Sequence, residues 1–443
     1  MLGVGASGPV GAESGAGAMS VAAAANPPSA PPADRLSARS AERDAWAVLA
    51  AVDGLGPIGF AALLQRYGSG PAILREAASR GGAHRLADTP GEDHEDGGSA
   101  LRRPVTLPVA TRIVEAAQRA GETLGRIQSL GLQVVTVADA AYPLRLAAIA
   151  MPPHVLFVLG DTAALEARSL VAVVGTRRAT DAGRAIAARL AGTLVAVGST
   201  VVSGLATGID GAAHAATVHA GGTTIAVIGS GHAALFPRVH RRLAESIVAA
   251  GGAIVSEFAP DVRPTHGTFP RRNRVISGLA DATVVVEAPA RSGALITASW
   301  ALEQGRECFI VPGPIGAPAS AGCLAFLREF GGSARIVAGI PQLIDDLGLA
   351  DHLTQPGVST DAAATLADVG EAAGRIGREL VLGRATVDEL VAVTGWPVAS
   401  VLSALTLLER RGLAVGIHGR FRPSGSLAAA DPAALRKRSS AHV

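Results

Sequence analysis

The chain has 443 residues, 49% hydrophobic and 17% charged, with a formal net charge of +2. This length accommodates two or three domains, and the composition excludes a chain that is disordered throughout. So small a net charge argues neither for nor against a nucleic-acid partner, because such partners are recognised by where charge sits rather than by its sum.

Residues 1–40 are Ala, Gly, Ser and Pro without periodicity, and a disordered tail is expected. No charged leader precedes an apolar run, and no stretch approaches eighteen apolar residues, so a cytoplasmic protein with no membrane partner is expected. Residues 41–140 read as a small helical domain of SAM or helix-hairpin-helix type. In WAVLAAVDGLGPIGFAALLQRYGS, apolar residues at helical spacing flank Gly54-Leu55-Gly56-Pro57. Such a turn can offer N–H groups to a DNA phosphate or simply connect two helices. Residues 81–107 interrupt this domain. The cluster Asp93-His94-Glu95-Asp96 has nothing apolar nearby to hold metal ligands in place, so a flexible insertion is expected rather than a metal site. A helix from Val109 to Leu130 leads through LQVVTV and AYPLRL to PPHVLFVLGD, which supplies one strand for the edge of a sheet.

Residues 141–350 alternate strand and helix. VAVVG, TVVSG, TIAVIG, AIVSE, ATVVVEA and CFIVPG are continuous apolar runs, as burial on both faces by helices requires. The fold class is therefore α/β, a doubly wound, mostly parallel Rossmann-like sheet, with ligands expected beyond the carboxyl ends of the strands. Cys308 and Cys323 lack the spacing of a zinc site or redox dithiol and are expected to be buried thiols. Residues 351–374 are a linker and residues 375–425 a winged helix. In the latter, Thr386 caps one helix, Gly395 ends it, Pro397 opens a second reaching Arg411, and LAVGI-HGR-FRP forms a hairpin. Only Arg410 and Arg411 make that second helix basic, which suits a major groove poorly. Residues 426–443 are a tail.

Four features carry chemistry. The turn VAVVGTRRAT (Val171 to Thr180) is a strand, a glycine bend and a helix start, which offers an anion free backbone N–H groups together with Arg177 and Arg178. The remaining dinucleotide glycines are absent, Gly229-Ser230-Gly231 being a partial match elsewhere, and no P-loop occurs, so no cofactor is expected. In RPTHGTFPRRNRVISGLA, between Val262 and Ala280, Arg263, Arg271, Arg272 and Arg274 with His266 and no carboxylate form a basic loop after a strand end, suited to phosphate. Asn273 could brace that loop or read a base edge, and Phe269 could stack or pack. Ser203, Asp210 and His214 can be drawn as a triad, although local capping by Asp210 fits their spacing better. Glu257 and Glu287 could be paired carboxylates for hydrolysis or could orient the arginines.

VAVVGTRRATDAG, TVVSGLATGIDGAAH, TIAVIGSG, SEFAP, GTFPRRNRVISGLADATVVVEAPARSGALITASWALEQGR and VPGPIG resemble the DNA-processing protein A (DprA/Smf) family, from about Ala141 to Val337. The resemblance implies a Rossmann-like, non-enzymatic protein that binds single-stranded DNA as a homodimer. It also implies that the protein binds RecA and helps load it onto DNA in natural transformation or recombination. By motif, the DNA site would comprise Gly175, Thr176 and Arg177, Ser203 and Gly204, Arg271, Arg272, Asn273 and Arg274, and Arg291, Ser292 and Gly293. The chain departs from the family's polar run at Ser320-Ala321-Gly322-Cys323-Leu324. The alternative is a phosphoribohydrolase-like nucleotide hydrolase. Its Pro-Gly-Gly-x-Gly-Thr-x-x-Glu loop is replaced here by Glu287-Ala288-Pro289-Ala290-Arg291-Ser292-Gly293.

Overall fold

The computed structural model describes residues 32–90, 104–349, 366, 368–417, 420–424 and 427. Most of the expected N-terminal tail and linker, the acidic cluster at residues 93–96 and nearly all of the C-terminal tail lie outside them.

Six helices build the N-terminal domain: α1 (Pro32–Ala50), α2 (Pro57–Tyr67), α3 (Gly70–Ala78), α4 (Gly82–Ala87), α5 (Leu107–Gln118) and α6 (Ala120–Ser129). Gly54 takes φ +83° in the turn before α2, whose first residue is Pro57, as the glycine-proline spacing predicts. The domain closes around Trp46, whose ring meets Phe60 edge-on at 5.3 Å. The Glu42 carboxylate accepts from both Trp46 Nε1 (2.6 Å) and Gly70 N (2.7 Å). The predicted insertion is shorter than expected. Residues 82–87 form α4 with Leu86 fully buried, and Val105 is fully buried ahead of α5, so both flanks belong to the core.

The chain then forms β1 (Gln133–Thr136), α7 (Leu144–Ala147) and β2 (Val155–Gly160). The six predicted strands follow as β3 (Leu170–Val174), β4 (Thr200–Ser203), β5 (Thr224–Val227), β6 (Ala253–Ser256), β7 (Ala282–Val285) and β8 (Glu307–Ile310), with β9 (Ala334–Ile336) beyond them. Their order in the sheet is β1-β2-β6-β5-β4-β3-β7-β8-β9. Pairing is parallel from β6 through β9 and antiparallel for β2 with β6 and for β1 with β2. The strand of PPHVLFVLGD is thus covered rather than outermost, because LQVVTV pairs outside it.

Successive side chains of a strand point to opposite faces. Leu170, Ala172 and Val174 of β3 enter one core with residues of α7, α11 (Thr268–Leu279), α12 (Gly293–Glu303) and α13 (Ala321–Glu329). Val171 and Val173 enter the other with residues of α8 (Asp181–Ala196), α9 (Ile209–His219) and α14 (Ile340–Asp346). Helix α10 (Arg241–Ala249) packs beside β5 and β6. Both cysteines are buried, and burial pushes their thiols up to about 12 for Cys308 and about 11 for Cys323. The doubly wound order reverses at β3, which has β4 on one side and β7 on the other. A crevice opens at such a switch point.

At the opposite end of these strands Asp281 gathers three partners: Leu170 N (3.0 Å), Arg145 Nε of α7 (2.6 Å) and Arg422 Nη2 (3.3 Å). Arg422 belongs to the C-terminal domain, formed by α15 (Glu371–Val381), α16 (Val387–Thr394), α17 (Val398–Arg410), β10 (Ala414–Ile417) and β11 (Arg420–Pro423). Thr386 and Glu389 form a reciprocal capping box at the start of α16, and Gly395 ends it at φ +69°. The elements run in the order expected of a winged helix. The domain starts earlier than predicted, since Leu366 and Val369 are already in its core. Among the described residues no single helix is long and apolar enough to cross a membrane.

Candidate nucleic-acid interface

The turn after β3 has room for glycine alone. A Cβ on Gly175 would strike the Ile209 side chain, and one on Gly208, at φ +85°, would strike the Thr176 carbonyl. The turns after β3 and β4 therefore lie against each other, and several of their N–H groups are taken within the fold. The buried Asp210 carboxylate accepts from Gly175 N, Gly204 N (3.1 Å) and Ala206 N (3.4 Å). Thr176 N donates to the Glu287 carbonyl (2.7 Å) and Arg178 N to Thr176 Oγ1 (3.2 Å). Thr180 donates from N (3.1 Å) and Oγ1 (2.6 Å) to the Glu287 carboxylate. Much of the expected backbone anion cradle is thus taken up from within. Glu287 lies at the N-terminus of α8, the kind of position where an α/β fold of this type holds a ligand phosphate.

From Thr268 on, the predicted basic loop is a helix. Pro270 sits in the first turn of α11, where its missing N–H costs nothing, and the helical rotation sends the arginines in different directions. Arg271 is exposed, whereas Arg272 and Arg274 are 5% and 4% exposed. Arg272 Nη1 donates to the carbonyls of Gly204 (2.7 Å) and Val227, and Nε donates to Asn273 Oδ1 (3.3 Å). Asn273 Nδ2 donates in turn to the Gly293 carbonyl (3.0 Å), so Asn273 braces α11 against α12 instead of presenting its amide to a base. Arg274 Nη2 donates to Glu257 Oε2 at 2.6 Å, and the same oxygen lies 3.3 Å from Arg271. Burial raises both Glu257 and Asp210 above the ordinary carboxylate range, against the pull of Arg274 and Arg271 on the first and of Arg272 on the second. Burial pushes the Arg272 guanidinium down to about 10, where it is still protonated at neutral pH.

Beyond the ends of β3 and β7 lies a cleft of about 660 Å³. It gathers Gly175, Thr176, Arg177, Arg272, Asn273, Arg291, Ser292 and Gly293 of the predicted site, and adds Arg178, Phe236, His266, Phe269 and Ile296. Four arginines and one histidine face a single carboxylate, Asp210, among its lining residues. Arg177 lies over the Phe269 ring at 4.7 Å. Ser203 and Gly204 are beneath the floor, with Ser203 Oγ donating to the Val173 carbonyl at 2.6 Å. Arg271 faces a smaller cleft on the other side of the α11 start, lined by Gly56, Pro57, Phe60, His154 and Glu257. Gly322 and Cys323 donate backbone N–H groups to the Ala288 carbonyl, so the divergent run after Ser320 packs against the loop that follows β7.

No triad forms from Ser203, Asp210 and His214. Thr224 Oγ1 gives its hydrogen to the Val201 carbonyl, so it accepts from His214 Nδ1, and His214 Nε2 is left bare and fully buried. Burial pushes this imidazole down to about 3. His214 is therefore neutral in the fold and protonates in the unfolded chain near its ordinary 6.5, so its contribution is complete above that value and is lost as pH falls toward 3. At about pH 5 the loss is on the order of 2 kcal/mol. Urea denaturation of His214→Asn should show a pH-dependent loss smaller by about that amount between neutral pH and about pH 5.

The different placements of the arginines predict different mutational costs. Arg274→Ala leaves the Glu257 charge buried with only the exposed Arg271 beside it, and should cost about 3–5 kcal/mol of unfolding free energy. Arg177→Ala removes an exposed cation–π contact and should cost less than about 1 kcal/mol. Equal denaturant midpoints for the two variants would contradict this division.

Residues 133–348 match the model of a family described as DNA recombination-mediator protein A. The chain is 36% identical over 336 residues to Protein Smf of Escherichia coli K12, covering 74% of this chain and 88% of that protein. It is 36% identical over 244 residues to DNA processing protein DprA of Bacillus subtilis 168, covering 53% and 82% respectively. The X-ray structure of DNA processing protein A from Streptococcus pneumoniae superposes with a TM-score of 0.55 at 29% identity, over 68% of this chain and 97% of that one. This chain belongs to the DNA recombination-mediator protein A family.

Proposed function

We propose that the protein binds single-stranded DNA in the cleft beyond β3 and β7, without catalysing a reaction on it. The observation that carries this reading is the convergence of Arg177, Arg178 and Arg291 on one opening, with a single carboxylate among its lining residues. Guanidiniums there can each take a backbone phosphate with two donors, and the cleft follows no base sequence because its candidate reading group, Asn273, is already hydrogen-bonded. Membership of a recombination-mediator family supports the further reading that a homodimer delivers the bound strand to RecA during natural transformation or recombination in the cytoplasm.

Two features weigh against the nucleotide-hydrolase alternative. Neither carboxylate lines the cleft: Glu287 is held by Thr180, and Glu257 pairs with Arg274 and Arg271 at the smaller cleft, so neither is placed to act as a general base on a cleft ligand. Release of free base from nucleoside monophosphates by the purified protein would overturn the non-enzymatic reading.

The binding test is a salt titration with fluorescent oligothymidine. Affinity should fall with salt at about −0.7 log unit per log unit for each phosphate neutralised. Replacing Arg177 and Arg291 together by alanine should weaken binding at least tenfold and flatten the slope by about 1.4. A double variant with the parent's affinity and slope would show that the DNA lies elsewhere.

A further inference from the structure

Phe236 is the one aromatic residue among the exposed large hydrophobic side chains of the described residues, at 43% exposure. Aromatics are scarce in this chain, only 3% of residues, and an open phenyl ring in water forfeits the burial that usually places it in a core. The ring is not on a featureless surface. It lines the arginine cleft, with its centroid 5.8 Å from that of Phe269 at an interplanar angle of 55°.

The two rings are differently engaged. Phe269 carries the Arg177 guanidinium at 4.7 Å and packs so closely on Gly229 that a Cβ there would come within 2.8 Å of its ring. Among the described residues no cation lies over Phe236, and its segment is fixed from behind. Gly231 N donates to the Val262 carbonyl (2.8 Å), Ala233 N to the Pro260 carbonyl (2.9 Å), and the neighbouring Leu235 packs into the core beside α10. The backbone thus turns Leu235 inward and leaves Phe236 to the cleft.

We propose that Phe236 is the base-stacking platform of the cleft: one nucleobase lies on its ring while the adjoining phosphate is held by Arg177. This rests on the single-strand reading above and adds what that reading lacks, an apolar surface for the base beside cations for the backbone. Stacking of this kind is strong and indifferent to sequence, because every base has a π-face.

The test compares oligothymidine with an oligomer of the same length and charge built from abasic tetrahydrofuran units, by fluorescence anisotropy at one salt concentration. Phe236→Ala should weaken oligothymidine about tenfold and leave the abasic oligomer unchanged. Phe236→Leu, which keeps apolar bulk without a π-face, should behave like Phe236→Ala, and Phe236→Trp should restore the parent's affinity. Equal losses on both oligomers, no loss on oligothymidine, or full rescue by leucine would each overturn the proposal while leaving the cleft as the DNA site. A parent that fails to bind oligothymidine would overturn both readings.

Discussion

Asp210 and Arg272 are opposite charges buried under the cleft, and the cleft exists because of what they hold. The carboxylate, from the first turn of α9, gathers the N–H groups of Gly175, Gly204 and Ala206. The guanidinium, from α11, gathers the carbonyls of Gly204 and Val227. The ends of β3, β4 and β5 are thereby hooked to two buried side chains of opposite charge. A buried charged side chain is costly unless it is hydrogen-bonded, and these two are met by backbone groups that strand ends would otherwise leave open. Arg177, Arg178 and Arg291 stand on this floor as exposed cations.

A second carboxylate completes the arrangement. Glu287 closes the N-terminus of α8, taking the donors of Thr180 that an α/β nucleotide site would offer to a phosphate. The sheet has the switch-point crevice of its fold class, with much of the phosphate cradle taken by its own carboxylates. Under the proposed reading, side-chain guanidiniums, which can follow a flexible polyanion, would do the gripping that backbone amides do for a single phosphate at a fixed point.

Much of this was legible in the amino-acid order. The six strands from Leu170 to Ile310 are continuous apolar runs because both faces are covered, and the capping box at Thr386 and Glu389 is a local pattern. Three kinds of feature were not legible. β1 and β9 are the two edge strands, partly exposed, and so lack the continuous apolar run that burial on both faces gives the strands between them. Helix α11 broke the rule that buried residues are apolar: Arg272, Asn273, Arg274 and Ser277 all lie on buried faces, so FPRRNR has the polarity of a loop and the geometry of a core helix. The same inversion placed Arg272 and Arg274 among the DNA contacts on motif grounds, while their partners, Gly204, Val227 and Glu257, are distant in sequence. Phe236 was missed because nothing local distinguishes an exposed ring from a packed one.

The most direct measurement is amide hydrogen exchange at Gly175, Thr176, Thr180, Gly204 and Ala206, with and without oligothymidine. With Asp210 and Glu287 already holding these groups, the amides are protected in the free protein and the added strand leaves their exchange unchanged. Fast exchange in the free protein that slows on binding DNA would contradict this, and would show that the phosphate is held by the backbone after all.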